Sequence, residues 1–311
     1  MVNSVRGDAE SNKTSVACRH GPSRRPTPRA VLMVRSDQRF GFSLSATLIH
    51  RFGMAGSLHL TLSLLGFGSE MAETTARWVL SRSTRKISLV QRKLARLEAA
   101  ETIKVSADPR MDRRILRLTE QARCRLLGGV DPEAEWKRCW DGVWRLVVFD
   151  IPESSRALRT QLRRRLRECR FGWLQNSVWI SPHPVDAFRQ ELGETGLVPE
   201  SLTYFAARSV GGESPGALVN SAWDFSGLAR DYADYRGILR LRPDPSTGLS
   251  TGWFRWLEKE HRAWQRIAGR DPFLPFELQP SDYPGQAAWA ERRQAFHEFT
   301  RMIAEGAKSG A

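Results

Sequence analysis

Over residues 84–100 the apolar side chains Ile87, Val90, Leu94 and Leu97 recur at spacings of three, four and three, which predicts an amphipathic helix. Ser88, Gln91, Arg92, Lys93 and Arg96 fall on its other side. Arginine and glutamine form paired hydrogen bonds with guanine and adenine edges in a major groove, so this face has the chemistry of a base reader. A second basic group, Lys104, Arg110, Arg113 and Arg114, flanks the turn signal at residues 107–110, between two short segments that read as a hairpin, 102–105 and 114–118. Cations on a hairpin suit phosphate contacts. A third candidate is Asp150, which ends an apolar run just before Pro152. A strand-end carboxylate can hold a divalent metal, but metal-assisted phosphodiester cleavage needs several converging oxygen ligands, and only Asp141 and Glu153 are close in sequence. Asp150 is therefore read as a turn or helix-capping residue, with nuclease chemistry as the alternative.

These side chains need elements to hold them. Leu58, Leu62 and Leu65 share one face of a first helix, and residues 71–81 form a second, packing Ala76 with Val79 or Leu80. With the helix 84–100 and the hairpin, residues 57–130 predict a winged helix-turn-helix, whose third helix enters the major groove. Residues 119–127 continue as a closing helix, and 128–132 form a linker. Trp136, Trp140 and Trp144 then follow at spacings of four, which suits a linker helix anchored on the next domain by aromatic packing.

In the middle of the chain, residues 146–151 form a nearly continuous apolar run, which reads as a buried strand. Ser154 or Ser155 can cap the next helix, where Leu158, Leu162, Leu166 and Cys169 make an apolar stripe and Arg156, Arg159, Arg163, Arg164, Arg165 and Arg167 fill the rest. Strands at 171–175 and 177–181 around Asn176, a helix at 184–195 and a strand at 202–208 complete the order βαββαβ, a ferredoxin-like unit over residues 131–210. Beyond the glycine-rich stretch 211–216, residues 211–305 are mainly helical, with helices at 223–235, 253–268 and 287–303 and a tail at 306–311. The fold class is thus α+β.

Three stretches carry a resemblance to a known family: the strand end Phe149-Asp-Ile-Pro-Glu153, the run Arg170-Phe-Gly-Trp-Leu-Gln-Asn-Ser-Val-Trp-Ile-Ser-Pro182, and the later series Trp223-Asp224, Asp271-Pro-Phe-Leu-Pro275 and Pro284-Gly285. In that order they resemble the PaaX family, bacterial repressors of phenylacetic-acid catabolism, over residues 57–305. The family's central domain is similar to the small CRISPR-adaptation nucleases of ferredoxin-like fold. The resemblance implies a cytoplasmic, homodimeric repressor that binds a double-stranded operator and is relieved by an effector such as phenylacetyl-CoA or a related acyl-CoA. It implies no catalytic role. On the nuclease side, an aspartate at the position of Asp150 would bind metal in a dimer.

Charge agrees with a polyanion-binding front end. Of the net charge of +14, residues 1–70 supply +5 (nine basic, four acidic) and residues 71–130 supply +8 (fourteen basic, six acidic), leaving +1 for the rest. Residues 1–40 contain no periodic apolar face, and residues 1–56 are read as a disordered extension, or as one upstream of the protein proper if translation starts at Met54 or Met71. Cys18, Cys124, Cys139 and Cys169 show no paired spacing, so they are expected to be reduced thiols in the core and not a disulfide frame or zinc site. The six histidines form no zinc-protease pattern, no P-loop or GxGxxG is present, and no apolar run reaches the length of a membrane span. No cofactor or metal is expected.

Overall fold

The structure is a computed structural model that describes residues 61–62, 65, 71–81, 87–108, 113–195, 202–208 and 214–309. Residues 1–56, Leu58, Arg110 and the turn at 109–112 lie outside the described residues.

Helical residues at 61, 62 and 65 precede strand β1 (Met71–Ala72) and helix α1 (Glu73–Ser81). The expected helix at 71–81 thus begins two residues later, because Met71 and Ala72 pair with Leu116 and Ile115. Helix α2 (Ile87–Ala99) follows, then strands β2 (Ile103–Asp108) and β3 (Arg113–Leu118). The hairpin is longer than its sequence signal, since Ala107 and Asp108 continue the ladder opposite Arg114 and Arg113. Its sheet has three antiparallel strands in the order β1-β3-β2. The third strand escaped sequence reading because two residues are too few to show a period of two. Helix α3 (Glu120–Leu126) starts at Thr119, whose hydroxyl accepts from the backbone N–H of Ala122, and helix α4 (Pro132–Trp136) starts at Asp131, whose carboxylate accepts from that of Glu133.

The tryptophan spacing of four does not continue a helix. Helix α4 ends at Trp136, Trp140 lies in a loop, and Trp144 opens strand β4 (Trp144–Phe149). A four-residue repeat over three residues cannot separate helix from loop and strand, and here tertiary packing decided. Trp136 joins the C-terminal core, with its indole N–H donating to the Tyr283 hydroxyl at 3.2 Å, while Trp140 and Trp144 pack on each other beneath the central sheet.

After β4, Glu153–Ser155 form a single tight turn and helix α5 (Arg156–Glu168) begins without a side-chain cap, so neither Ser154 nor Ser155 caps it. Strands β5 (Gly172–Gln175) and β6 (Val178–Ser181), helix α6 (Asp186–Thr195) and strand β7 (Leu202–Ala207) follow. The sheet order β5-β6-β4-β7, antiparallel throughout, is that of a βαββαβ unit with its first strand beside the third and fourth. Period-two alternation splits β4 between two faces. Val147 and Phe149 lie under α5 and α6 with Leu162, Leu166, Phe188 and Leu192, whereas Trp144 and Leu146 face a second layer containing Ile180, Val219 and Leu274.

That second layer comes from the C-terminal part. Helix α7 (Pro215–Ala222), in a stretch read as a boundary from its glycines, starts at the Ser214 cap and packs on β5, where a Cβ on Gly172 would sit 2.6 Å from that of Ala222. Helices α8 (Phe225–Arg240, capped by Asp224), α9 (Thr251–Ala268) and α10 (Gly285–Ser309) complete the chain. One hydrophobic core runs from Val79, Leu80, Leu94 and Leu97 near the start to Trp253, Trp264, Phe296 and Ile303 near the end, and α10 packs on α1. No described helix is long and apolar enough to cross a membrane.

Candidate nucleic-acid interface

Helix α2 is held by Val90, Leu94 and Leu97, all buried, which leaves Ser88, Gln91, Arg92 and Arg96 exposed on the other side. The side chain of Ile87, expected in the same stripe, lies outside the described residues. The guanidinium of Arg92 lies along the helix, its Nε donating to the Ser88 carbonyl at 3.3 Å. Lys93 differs from expectation: it is half-buried, and burial lowers its pKa, so it belongs to the flank of the helix and not to the outward face.

In the hairpin, Lys104 is exposed and Arg117 donates to the Ser106 hydroxyl at 3.3 Å. Arg113 stands opposite Asp108 in the ladder, its side chain outside the described residues. Arg114 is exposed but pairs with Glu73 at 3.1 Å, and Glu73 also accepts from Arg77 at 2.5 Å. Its charge is thus partly spent on joining β3 to α1. The structure brings α2 and the hairpin into one body through Leu97, Ile103 and Leu116, which the sequence periods alone could not specify.

This body is tied to the C-terminal helices by hydrogen bonds that no sequence pattern announces. The Trp264 indole donates to the Leu127 carbonyl at 2.9 Å, and the Gln265 amide donates to the Leu126 carbonyl at 3.0 Å. Both acceptors lie at the end of α3, where carbonyls lack partners within the helix. Gly128, at φ +94°, permits the approach, since a Cβ there would sit 2.4 Å from that of Ala268. Arg170 closes the junction from the central domain, donating to the Gly128 carbonyl at 3.2 Å and lying over the Phe273 ring. Beneath it the fully buried Asp271 accepts from the Tyr232 and Tyr283 hydroxyls at 2.5 and 2.7 Å. Burial raises the pKa of this carboxyl, against the pull of those hydrogen bonds.

Between α3, α4 and α10 opens a cleft of about 440 Å³ whose walls include Arg123, Asp131, Glu133, Trp289, Arg293 and His297. Its charges are satisfied across the walls. Arg123 donates to Asp131 at 2.8 Å, and Glu133 accepts from the Trp289 indole at 2.8 Å and from Arg293. The indole hydrogen bond, then the Arg293 contact, lowers the Glu133 pKa.

Asp150 is exposed just after β4. Among the described residues no three His, Cys, Asp or Glu side chains converge to hold a metal ion. His261 is buried in α9, and His183, half-buried, is held down to about 4 by burial and by Arg138, Arg170 and Arg145. Of the cysteines, Cys124 and Cys169 are half-buried free thiols, the latter pushed up to about 12 by burial, while Cys139 is exposed and not in the core. Cys139 falls in the loop that replaces the expected linker helix.

No curated protein matches the chain. Among solved structures, the uncharacterized protein Rv0674 from Mycobacterium tuberculosis is similar at 24% identity and a TM-score of 0.45, covering 71% of this chain and 83% of its own. Residues 137–219, from the segment before β4 to within α7, match the family model described as the PaaX protein central Cas2-like domain.

Proposed function

We propose that the chain is a PaaX-like transcriptional regulator that binds double-stranded DNA, with α2 reading bases and the β2–β3 hairpin contacting phosphates. The observation that carries this reading is the outward face of α2, where Ser88, Gln91, Arg92 and Arg96 are exposed on a helix whose other side is buried, in a chain whose middle matches the PaaX central domain. The reading makes the protein a repressor of a catabolic operon, acting in the cytoplasm as a homodimer, because a single α2 spans only a half-site.

An acyl-CoA such as phenylacetyl-CoA is the effector in this reading. The cleft between α3, α4 and α10 supports it in one respect: an anionic ligand there would compete with Asp131 and Glu133 for Arg123 and Arg293, the pairs that join α3 to α4 and α4 to α10. Such competition would loosen the tie between the DNA-reading body and the C-terminal helices. The test is titration of the full-length protein with duplex DNA from upstream of its own gene, with and without phenylacetyl-CoA. Specific binding of a dimer, weakened by the acyl-CoA, is expected; absence of specific binding sinks the reading.

A further inference from the structure

The solvent face of α9 carries Arg255, Lys259, Arg262 and Arg266 at spacings of four, three and four, all exposed. On a helix these positions fall within about 60° of one another and span about 16 Å. Trp253, Trp256, Leu257, Ala263, Trp264 and Ile267 are buried on the other side, so the stripe cannot turn inward. The one acid among the exposed positions is Glu258, which is taken up by Arg262. Arg255, Lys259 and Arg266 have no ion-pair partner among the described residues. Elsewhere in this part of the chain some cations are paired: Arg236 of α8 with Glu291, Arg242 just beyond α8 with Glu298, and Arg293 of α10 with Glu133. A helix face that lines up four exposed cations, three of them without an acid, has the charge of a surface for a partner that brings the negative charge.

The position of α9 says which partner. Its last turns donate from Trp264 and Gln265 to the carbonyls of Leu127 and Leu126, so the stripe is fixed to the end of α3, which follows directly from the hairpin. We propose that this face of α9 is a second DNA contact, which holds the phosphate backbone beside the stretch that α2 reads. A strand of duplex presents a phosphate about every 3.4 Å along its axis, so a 16 Å row faces roughly four or five of them. The contact would be sequence-independent, adding affinity and salt dependence without specificity.

The proposal rests on the DNA-binding reading above, and the experiment separates the two. Full-length protein is titrated with a duplex of about 40 base pairs over a range of KCl, as wild type and as Arg255→Gln/Lys259→Gln/Arg266→Gln. The slope of log K against log salt should become shallower by about 2 to 3, with binding at about 0.1 M salt at least tenfold weaker. Arg255→Lys/Arg266→Lys should keep the wild-type slope. The single variants Arg255→Gln and Arg266→Gln, at exposed sites where folding is not at stake, should each remove about one unit. If wild type binds and loses affinity on Arg92→Ala/Arg96→Ala while the α9 variants leave slope and affinity unchanged, the stripe is not a DNA contact and the regulator reading stands. Failure of wild type to bind any duplex overturns both.

Discussion

Helices α2 and α5 are both basic and amphipathic, and they use their cations in opposite ways. Helix α5 has six arginines in 13 residues and would be the first choice for a polyanion surface on composition alone. Most of them are spent within the domain. Arg159 donates to the Ile151 carbonyl and pairs with Glu153 at 3.6 Å, and Arg163 donates to the Asn176 carbonyl at 3.0 Å. Arg164 and Arg165 pair with Glu168, Arg165 also reaches Glu191 at 3.3 Å, and Arg167 lies over the Trp179 ring. Helix α2 has fewer cations, but Gln91, Arg92 and Arg96 face solvent, and the contact Arg92 makes is with its own helix. Counting arginines therefore does not find a binding surface. What matters is which carboxylates, carbonyls and rings the fold brings within reach of each guanidinium.

The largest effect should come where an arginine is most fully structural. Arg292 and Glu260 are each 1% exposed and pair at 2.7 Å, with the Tyr235 hydroxyl donating to the same carboxylate oxygen at 2.6 Å and the guanidinium 4.3 Å from the Trp264 ring centroid. Replacing Glu260 by Gln leaves a buried cation without its counter-charge. It should cost about 3 to 5 kcal/mol in urea unfolding, and a loss below about 1 kcal/mol would show that the cluster tolerates solvent.

Next comes a pH effect from the burial of His183 and the cations around it. Its folded pKa, about 4, lies below the ordinary value of 6.5, so the native state favours the neutral ring. The contribution to stability is complete above pH 6.5 and is lost as pH falls from there towards 4, where the unfolded chain takes up a proton that the folded one refuses. His183→Gln should flatten the stability curve in that window, by up to roughly 3 kcal/mol. An unchanged curve would mean that the ring is protonated where it stands.

Smaller again is the effect expected on α2. Arg92→Ala or Arg96→Ala should cost about 1 to 3 kcal/mol at a specific operator where the contact is to guanine, with thermal stability unchanged. Operator affinity that survives both substitutions would leave α2 no closer to a reader than α5. The smallest effect should be on α5 itself: Arg164→Ala removes a 3.6 Å pair whose arginine is mostly exposed, and should change stability by less than about 0.5 kcal/mol and DNA binding not at all. A loss of DNA affinity there would reverse the comparison.

Much of this was legible from local patterns. The stripe of Val90, Leu94 and Leu97, the alternation in β4, the turn at Asn176 and the order βαββαβ depend on interactions between near neighbours in sequence, and periodicity records those directly. Strand ends were less legible, because β4 begins at Trp144 and β2 runs on to Asp108 only where a partner strand supplies the hydrogen bonds. Helix α7 was hidden because Pro215 and Gly216 read as boundary residues, whereas they form its first turn, where a proline has no N–H to lose. The long-range partners of the charged side chains were not legible. Arg114 turned towards Glu73 and Arg165 reached Glu191, each through a partner far away in the chain, whereas the pairs of Arg164 and Arg165 with Glu168 follow from helical spacing. The sequence by itself determined which residues share a helix face or a strand face, since that follows from backbone geometry. Only the tertiary structure decided which cations remain for a ligand, because long flexible side chains take whichever acceptors the packing of distant elements puts within a few ångströms.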